Sequence, residues 1–195
     1  MLITSISGIR GTIGGTEGEG LTPHDIVRFA TGYASWVKAA SGQDRPTVVV
    51  GRDARLSGEL VRDCLVGTLN AMGVNVLDLG LSTTPTVELA VPEEEAAGGI
   101  ILTASHNPKQ WNALKLLGPS GEFLNAEEGE RVLELFRAIL AVGFDTEEAH
   151  VGAVVVEAEP GSDRLHKFNA AACENDSLLA PVVTGWISYG SLSHS

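Results

Sequence analysis

Apolar residues along this chain fall into two patterns, short β-branched runs and longer stretches with helical spacing. After Thr22-Pro23 they recur every three or four positions, as on one buried face of a helix. Residues 47–50 instead read Thr-Val-Val-Val, a continuous β-branched run that is typical of an interior strand covered on both faces. Because strands and helices alternate, we expect an α/β fold with a layered, mostly parallel sheet and helices on both faces.

The same patterns give approximate bounds for the elements. Strands are predicted at residues 2–6, 47–50, 74–79, 99–102 and 113–117, and helices at residues 23–41, 57–72, 85–91 and 126–140. The glycine-dense segment 7–15 is predicted as a loop. After about residue 142 the pattern degrades, although residues 151–156 could form one more strand. We therefore expect an α/β domain at residues 1–142 and an irregular carboxy-terminal remnant at residues 143–195.

Composition narrows the range of partners. The 195 residues carry a formal net charge of −12, which argues against nucleic acid and against an anionic membrane surface. Small phosphorylated substrates remain possible, because a few arginines and backbone N–H groups can make one cleft positive. No apolar run reaches membrane-spanning length and no targeting segment is evident, so we expect a cytoplasmic protein. Cys64 and Cys173 fit no metal-binding or CxxC spacing.

The most informative segment is the run Thr-Ala-Ser-His-Asn-Pro at residues 103–108, which follows the apolar strand predicted at residues 99–102. A strand that ends there presents the Ser105 hydroxyl on a turn, and Pro108 helps to fix that turn. A serine held among polar neighbours in this way is a candidate covalent centre for an acyl or a phosphoryl group. An ordinary polar loop between two elements is the alternative.

Three other segments supply cations that could converge with this serine in one cleft. Arg10 lies among glycines, so its guanidinium can meet an anion without obstruction, although a structural turn is an equal alternative. Arg52 and Arg55 flank Asp53 after a buried strand. A local Arg–Asp ion pair is the favoured interpretation of Asp53, and one of the arginines could face the cleft. Lys115 could stabilise charge or act as acid or base, unless it is an ordinary surface lysine.

His106 directly follows the serine. It could assist proton transfer or orient the loop through a backbone hydrogen bond, and the structural role is favoured. A serine hydrolase is a further alternative. However, the sequence has no Gly-x-Ser-x-Gly elbow, and adjacent Ser105 and His106 side chains rarely meet as nucleophile and base. The sequence also lacks a metal-binding histidine spacing, a Walker A run and a dinucleotide fingerprint.

Taken together, four ordered segments resemble the α-D-phosphohexomutases, the family of phosphoglucomutase, phosphomannomutase and phosphoglucosamine mutase. They are SGIRG at residues 7–11, GRDAR at residues 51–55, TASHNP at residues 103–108 and NALK at residues 112–115. The resemblance covers roughly residues 1–140, which would be the first of the family's four domains.

The resemblance implies an intramolecular phosphotransferase that interconverts hexose 1-phosphate and hexose 6-phosphate through a phosphoserine at Ser105. A hexose 1,6-bisphosphate would be intermediate and activator, and Mg²⁺ would bind Ser105 through its phosphate. Ser105, His106, Lys115 and Arg10 would be the catalytic residues. Arg10, Arg55 and Lys115 would bind the substrate phosphate.

The sequence also departs from this family. The Asp-x-Asp-x-Asp-Arg loop, which supplies the other Mg²⁺ ligands from the family's second domain, has no match here, and Ala113 replaces the glycine usual before Lys115. The sugar-reading and phosphate-binding loops of domains three and four are absent as well. We therefore expect an amino-terminal fragment that is inactive alone and that self-associates through surface left exposed by the missing domains. A non-catalytic module that binds phosphate or sugar phosphate is the alternative.

Overall fold

The computed structural model describes residues 1–142 and 155–157. The strands are β1 (Leu2–Ser5), β2 (Gly8–Thr12), β3 (Thr47–Arg52), β4 (Asn75–Leu81), β5 (Gly98–Leu102), β6 (Trp111–Leu117) and β7 (Val155–Glu157), and the helices are α1 (Pro23–Ser41), α2 (Gly58–Ala71), α3 (Thr84–Glu93) and α4 (Ala126–Val142). All four predicted helices and the five strands predicted within residues 1–142 are found. Their ends differ from the prediction by a residue or two, because hydrophobic periodicity locates an element better than it locates the last turn.

The ends of α1 show how local sequence sets an element. The Thr22 side chain accepts a hydrogen bond from the backbone N–H of Asp25, and the Asp25 carboxylate accepts one from the backbone N–H of Thr22 at 3.0 Å. This reciprocal capping box satisfies two N–H groups that the first helical turn leaves without partners. At the other end, Gly42 takes the left-handed conformation at φ 64° and closes the helix.

The seven strands form one sheet in the order β1-β2-β6-β5-β3-β4-β7. Strands β5, β3, β4 and β7 are parallel, whereas the pairs β1–β2, β2–β6 and β6–β5 are antiparallel. The predicted mostly parallel sheet is therefore correct for one half of the sheet and wrong for the other. The reason is connectivity. A short turn joins β1 to β2 and a loop without a helix joins β5 to β6, so each of these connections reverses the chain.

Helices cover both faces of the sheet, as predicted. The larger core lies on the face packed by α1, α2 and α4, and a smaller core lies beneath α3 on the opposite face. Strand β6 contributes side chains to both faces of the sheet. Leu114 and Leu116 belong to the larger core, whereas Lys115 between them lies on the α3 face because successive side chains of a strand alternate.

Strand β2 corrects the prediction of a loop at residues 7–15. Ile9 alternates with Arg10, so Ile9 enters the larger core at 1% exposure while Arg10 lies exposed on the opposite face. Glycine at position 8 permits close pairing. Gly8 has a φ of 133°, and a Cβ placed on it would lie 1.9 Å from the carbonyl oxygen of Leu114 on β6. The glycines that suggested a loop here serve a tightly paired strand.

Most of the predicted carboxy-terminal remnant, residues 143–195, lies outside the described residues, as does Cys173. The described part of it, β7, pairs with β4 and overlaps the strand predicted at residues 151–156. Cys64 is a free thiol on α2 and is half-buried. In the part of the chain that the structure describes, no helix has the length and apolar character needed to span a membrane.

Candidate active site

The segment between β5 and β6, residues 103–110, is called the serine loop from here on. Because β3 and β5 are parallel neighbours, their carboxyl ends meet at one edge of the sheet, and the serine loop lies beside the loop that follows β3. Ser105 is exposed at this edge. Its φ of 49° is left-handed, a conformation that few residues other than glycine adopt. The predicted turn is present. Because Ser105 itself disfavours this φ, contacts with neighbouring residues must hold it there.

Arg55, in the loop after β3, supplies most of those contacts. Its Nη2 donates to the carbonyl oxygens of Ser105 at 2.6 Å and Asn107 at 2.9 Å. Its Nη1 donates to the carbonyl oxygens of Pro108 and Trp111, both at 2.9 Å. The side chain is 10% exposed. One guanidinium therefore binds four carbonyl oxygens along the serine loop and the start of β6.

The last N–H donor of Arg55, on Nε, donates to the Asp53 carboxylate at 3.2 Å. A guanidinium has five N–H donors, and all five are now accounted for. The expectation that Arg55 binds the substrate phosphate stays a prediction. In this structure its guanidinium faces the backbone of the serine loop, and each of its donors has a protein acceptor.

Asp53 connects this arginine to a residue that sequence reasoning did not single out, Thr103. The Asp53 carboxylate accepts hydrogen bonds from the Thr103 hydroxyl at 2.6 Å and from the backbone N–H of Arg55 at 3.1 Å. Thr103 Oγ1 in turn accepts from the backbone N–H of Ser105 at 3.1 Å. The favoured interpretation of Asp53 as a local ion-pair partner is confirmed. The sequence does contain a signal for Thr103. A threonine hydroxyl often accepts a hydrogen bond from the backbone N–H two residues later, which here belongs to Ser105.

Arg52 differs from its neighbour. It donates to Glu59 at 3.1 Å, in the first turn of α2. Arg52 is the last residue of β3 and pairs with a helix carboxylate, whereas Arg55, in the loop that follows, contacts the serine loop.

Lys115 reaches the candidate nucleophile directly. Its Nζ donates to Ser105 Oγ at 3.0 Å and lies 5.9 Å from the centroid of the Phe123 ring. The pairing of Lys115 with Ile101 on β5 places its side chain on the face that leads to the serine loop. The structure therefore joins two predicted site residues that are ten positions apart in the sequence.

The surroundings of Lys115 shift its protonation toward the neutral amine. Partial burial lowers the pKa of the Lys115 ammonium, and the charge of Arg10 lowers it as well, whereas Glu88 and Asp53 raise it. Burial likewise raises the pKa of the Glu88 carboxyl, and Lys115 opposes that shift. A lysine with a lowered pKa can accept and return a proton more readily than one in bulk water. Glu88, on α3, is a neighbour that the sequence pattern did not indicate.

The other two predicted site residues, Arg10 and His106, differ in their relation to Lys115 and Ser105. The register of β2 on β6 pairs Gly8 with Lys115, so Arg10, two residues further on, lies on the same face of the sheet. Arg10 and Lys115 therefore share one face, where the charge of Arg10 lowers the pKa of the Lys115 ammonium. His106 is exposed, and its ring forms no hydrogen bond within residues 1–142 and 155–157. Both roles considered for His106 stay predictions.

The side chains near Ser105 do not by themselves form a site for Mg²⁺, the metal that the resemblance implies. Among the described residues, no group of three or more His, Cys, Asp or Glu side chains could hold a metal ion. Asp53, the carboxylate of this edge, is engaged by Arg55 and Thr103. Because Mg²⁺ takes near-octahedral sets of oxygen ligands, these residues do not fit a Mg²⁺ site of their own. Apart from a phosphate on Ser105 and from water, carboxylate ligands in such a number would have to come from outside residues 1–142 and 155–157.

Fold and site together define an α/β/α domain that holds a serine and a lysine at the edge of a mixed sheet. Residues 2–142 match the family model described as phosphoglucomutase/phosphomannomutase, alpha/beta/alpha domain I. The chain therefore belongs to the phosphoglucomutase/phosphomannomutase family, and residues 2–142 correspond to its first domain. The resemblance drawn from the four short segments is confirmed.

Individual relatives agree with this assignment. The phosphoglucomutase/phosphomannomutase of Thermococcus kodakarensis is 41% identical over 128 residues, covering 65% of this chain and 28% of the relative. The phosphoglucosamine mutase of Levilactobacillus brevis is 41% identical over 127 residues, covering 64% and 28%. A crystal structure from Thermus thermophilus, assigned as a phosphomannomutase, aligns with a TM-score of 0.64 at 28% identity, covering 80% of this chain and 33% of that one. This chain thus spans less than a third of the length of the curated relatives it matches.

Proposed function

We propose that this chain performs the phosphoserine chemistry of a phosphohexomutase, in which Ser105 takes a phosphoryl group from a hexose bisphosphate and returns it to a hexose monophosphate. The observation that carries the proposal is the 3.0 Å contact between Lys115 Nζ and Ser105 Oγ on an exposed, firmly bound loop. Phosphoryl transfer depends chiefly on positioning and on neutralisation of charge, and this arrangement offers both. The relatives are named for different hexoses, so the proposed substrate is hexose phosphate as a class.

In the charging step, Ser105 Oγ attacks one phosphorus of a hexose 1,6-bisphosphate. The Oγ–P bond forms, the P–O bond to the sugar breaks, and the serine proton ends on the sugar oxygen that leaves. Lys115 Nζ, whose pKa is lowered by partial burial, accepts the serine proton and returns it to that oxygen. Transfer in the opposite direction, onto the other hydroxyl of a hexose monophosphate, restores the free serine.

Charge on the transferred group is offset from the α3 face of the sheet. Lys115, once it carries the serine proton, and the exposed guanidinium of Arg10 are two cations on this face. Arginine suits this role because its planar fork donates two parallel hydrogen bonds to phosphate oxygens. Arg55 takes no part in this neutralisation, since its donors bind the loop backbone.

The test is the intact mass of the full 195-residue chain after incubation with glucose 1,6-bisphosphate. A gain of about 80 Da, one phosphoryl group, is expected for the wild type and not for Ser105→Ala. Ser120→Ala is the matched control, because Ser120 is an exposed serine on a different turn, and it should gain the same mass as the wild type.

Two other results would point elsewhere. If the wild type gains no mass at any bisphosphate concentration yet binds hexose phosphate in calorimetry, the non-catalytic binding module is the better description. Labelling of Ser105 by a fluorophosphonate probe, absent from Ser105→Ala, would support the serine hydrolase instead.

We further propose that this chain alone completes the charging step but not the mutase cycle. The described site offers Ser105, Lys115 and Arg10, which serve the transferred phosphoryl group, and the reorientation of a bisphosphate between transfers requires contacts to the sugar as well. A coupled assay for conversion of glucose 1-phosphate to glucose 6-phosphate should therefore show no sustained turnover. Steady turnover at a rate typical of enzymes would contradict this second part while leaving the first intact.

A further inference from the structure

We propose that Arg55 is a positioning residue for the phosphoryl transfer, which holds the serine loop in the one conformation that presents Ser105 Oγ to Lys115. The proposal rests on the proposed function of Ser105, and it assigns Arg55 a role other than binding the substrate phosphate.

The first argument is the number and spread of the Arg55 contacts. The four carbonyl oxygens that it binds belong to Ser105, Asn107, Pro108 and Trp111, so a single side chain spans the serine loop from its nucleophile to the start of β6. A lysine has three donors on one atom and cannot reproduce this planar fork. No other described side chain donates to more than one carbonyl of this loop.

The second argument is the backbone of Ser105. Its φ of 49° is disfavoured for a residue with a Cβ, so it persists where neighbouring contacts over-determine it. The 2.6 Å bond from Arg55 to the Ser105 carbonyl fixes one side of this residue, and the bond from its N–H to Thr103 Oγ1 fixes the other. Without Arg55, the Ser105 backbone is free to relax toward ordinary φ values, which turns Oγ away from Lys115.

The third argument is charge balance. Asp53 accepts from the Arg55 Nε and from the Arg55 backbone N–H, which orients the guanidinium and offsets its charge locally. The Asp53 carboxylate also accepts a hydrogen bond from Thr103, so the two side chains that hold Ser105, Arg55 and Thr103, share one acceptor. A cation neutralised in this way adds little to the field that a substrate phosphate meets. This separates the role of Arg55 from that of Arg10.

The kinetic test compares Arg55→Lys with the wild type in the rate of Ser105 phosphorylation by glucose 1,6-bisphosphate, followed by intact mass. The maximal rate should fall about a hundredfold, as expected for a nucleophile displaced by an ångström or so. The concentration of bisphosphate that gives half the maximal rate should change by less than about twofold, because no phosphate contact is lost. In Arg55→Ala, added ethylguanidinium should restore part of the rate.

The matched control is Arg52→Lys, an equal change three residues earlier, at the end of β3, where the arginine pairs with Glu59. It should leave both kinetic quantities near their wild-type values. Urea unfolding of all variants checks that the comparison is made between folded proteins. A large rise in the half-saturating concentration with an unchanged maximal rate would overturn the proposal and make Arg55 a phosphate ligand.

A second arm needs no phosphorylation and therefore separates this proposal from the proposed function. The backbone N–H groups of Asn107 and Trp111 are hydrogen bonded within the serine loop, to the carbonyls of Ala104 and Pro108. Their hydrogen exchange in the unphosphorylated chain should be about tenfold faster in Arg55→Lys and unchanged in Arg52→Lys. Equal exchange in Arg55→Lys and the wild type would refute the positioning role. If the wild type is never phosphorylated but this exchange difference is found, the proposed function fails while the hold of Arg55 on the loop stands.

Discussion

At the scale of the residue, Ser105 sits in a backbone conformation that its own side chain opposes. The left-handed φ of 49° costs an L residue roughly 1–2 kcal/mol relative to glycine. The hydrogen bonds from Arg55 and to Thr103 offset this cost. The resulting conformation places Oγ next to Lys115. A candidate nucleophile here is held by its neighbours, since its intrinsic preference would place it elsewhere.

This predicts an unusual order of stability for two inactive variants. Ser105→Gly should be more stable than Ser105→Ala by about 1 kcal/mol in urea unfolding, because only glycine relieves the left-handed backbone. Ser57 provides the control, since its φ of −85° is ordinary. There the alanine variant should be the more stable of the two. The same order at both positions would contradict the strain assigned to Ser105.

Lys115 is the residue on which the proposed proton transfer depends. Lys115→Met keeps an apolar stem over Phe123 but removes the amine, so unfolding free energy should change little. The rate of Ser105 phosphorylation should fall about a hundredfold or more, the usual contribution of a positioned acid or base. Lys109→Met, a change at an exposed lysine of the serine loop, should keep the wild-type rate. A wild-type rate in Lys115→Met would remove this lysine from the mechanism.

At the scale of the element, β2 depends on glycine for its pairing with β6. A Cβ at Gly8 would lie 1.9 Å from the carbonyl oxygen of Leu114, at a φ of 133° that disfavours side chains. Gly8→Ala should therefore destabilise the fold by about 3 kcal/mol or more in urea unfolding.

Gly14→Ala is the control for this prediction. Gly14 also has a positive φ, at 83°, but a Cβ there meets nothing within 4 Å. Its cost should be about 1 kcal/mol, from the backbone alone. Equal costs at the two positions would mean that the close approach of β2 to β6 is not what restricts Gly8.

Tyr33 connects helix α1 to the sheet and gives the fold a sensitivity to high pH. Its hydroxyl donates to the carbonyl oxygens of Leu117 at 2.7 Å and Gly99 at 3.2 Å, and burial raises its pKa far above the usual value. The unfolded tyrosine ionises near pH 10 and the folded one does not. The stabilisation is therefore complete below about pH 10, and above it falls by roughly 1.4 kcal/mol per pH unit.

Tyr33→Phe should remove this alkaline component. The variant should lose about 1–2 kcal/mol at neutral pH, because two buried carbonyls lose a donor. Its unfolding free energy should then decline less steeply than that of the wild type between about pH 10 and 11. Parallel curves for wild type and Tyr33→Phe would contradict the assignment.

At the scale of the whole molecule, apolar side chains on the surface compete with a large negative charge. Among residues 1–142 and 155–157, the exposed large apolar residues are Met1, Ile6, Leu56, Leu60, Leu81 and Phe123. A formal charge of −12 opposes contact between copies at low salt. Because salt screens that repulsion, we expect self-association to increase between about 0.02 M and about 0.5 M NaCl, where the Debye length has fallen below about 10 Å.

Sedimentation velocity across protein and salt concentrations measures this directly. The double variant Leu56→Ser/Leu60→Ser removes two of the most exposed apolar side chains, which lie close together at the start of α2, and should shift the distribution toward monomer. A sharp monomer peak at high protein concentration in about 0.5 M NaCl would count against self-association through this surface.

The sequence alone located the four helices and five of the six strands within residues 1–142, because each of these is encoded locally. The capping box at Thr22 and Asp25, the left-handed Gly42 and the β-branched run at residues 47–50 act within a few positions of themselves. The resemblance in four short segments likewise depended only on residue types and their order, and the match over residues 2–142 confirmed it. Ser105 and Lys115 were selected as candidates on the same evidence.

Strand direction and the role of Arg55 were decided only by the tertiary structure. Whether a strand pairs parallel or antiparallel depends on which neighbour it finds in the sheet, and periodicity carries no such information. The five donors of Arg55 are committed to atoms that lie mostly some fifty residues away in the chain, beyond any local pattern. Local sequence patterns therefore predict the elements and the candidate reactive side chains. Long-range hydrogen bonds determine which of these side chains are free to contact a ligand and which hold the serine loop in place.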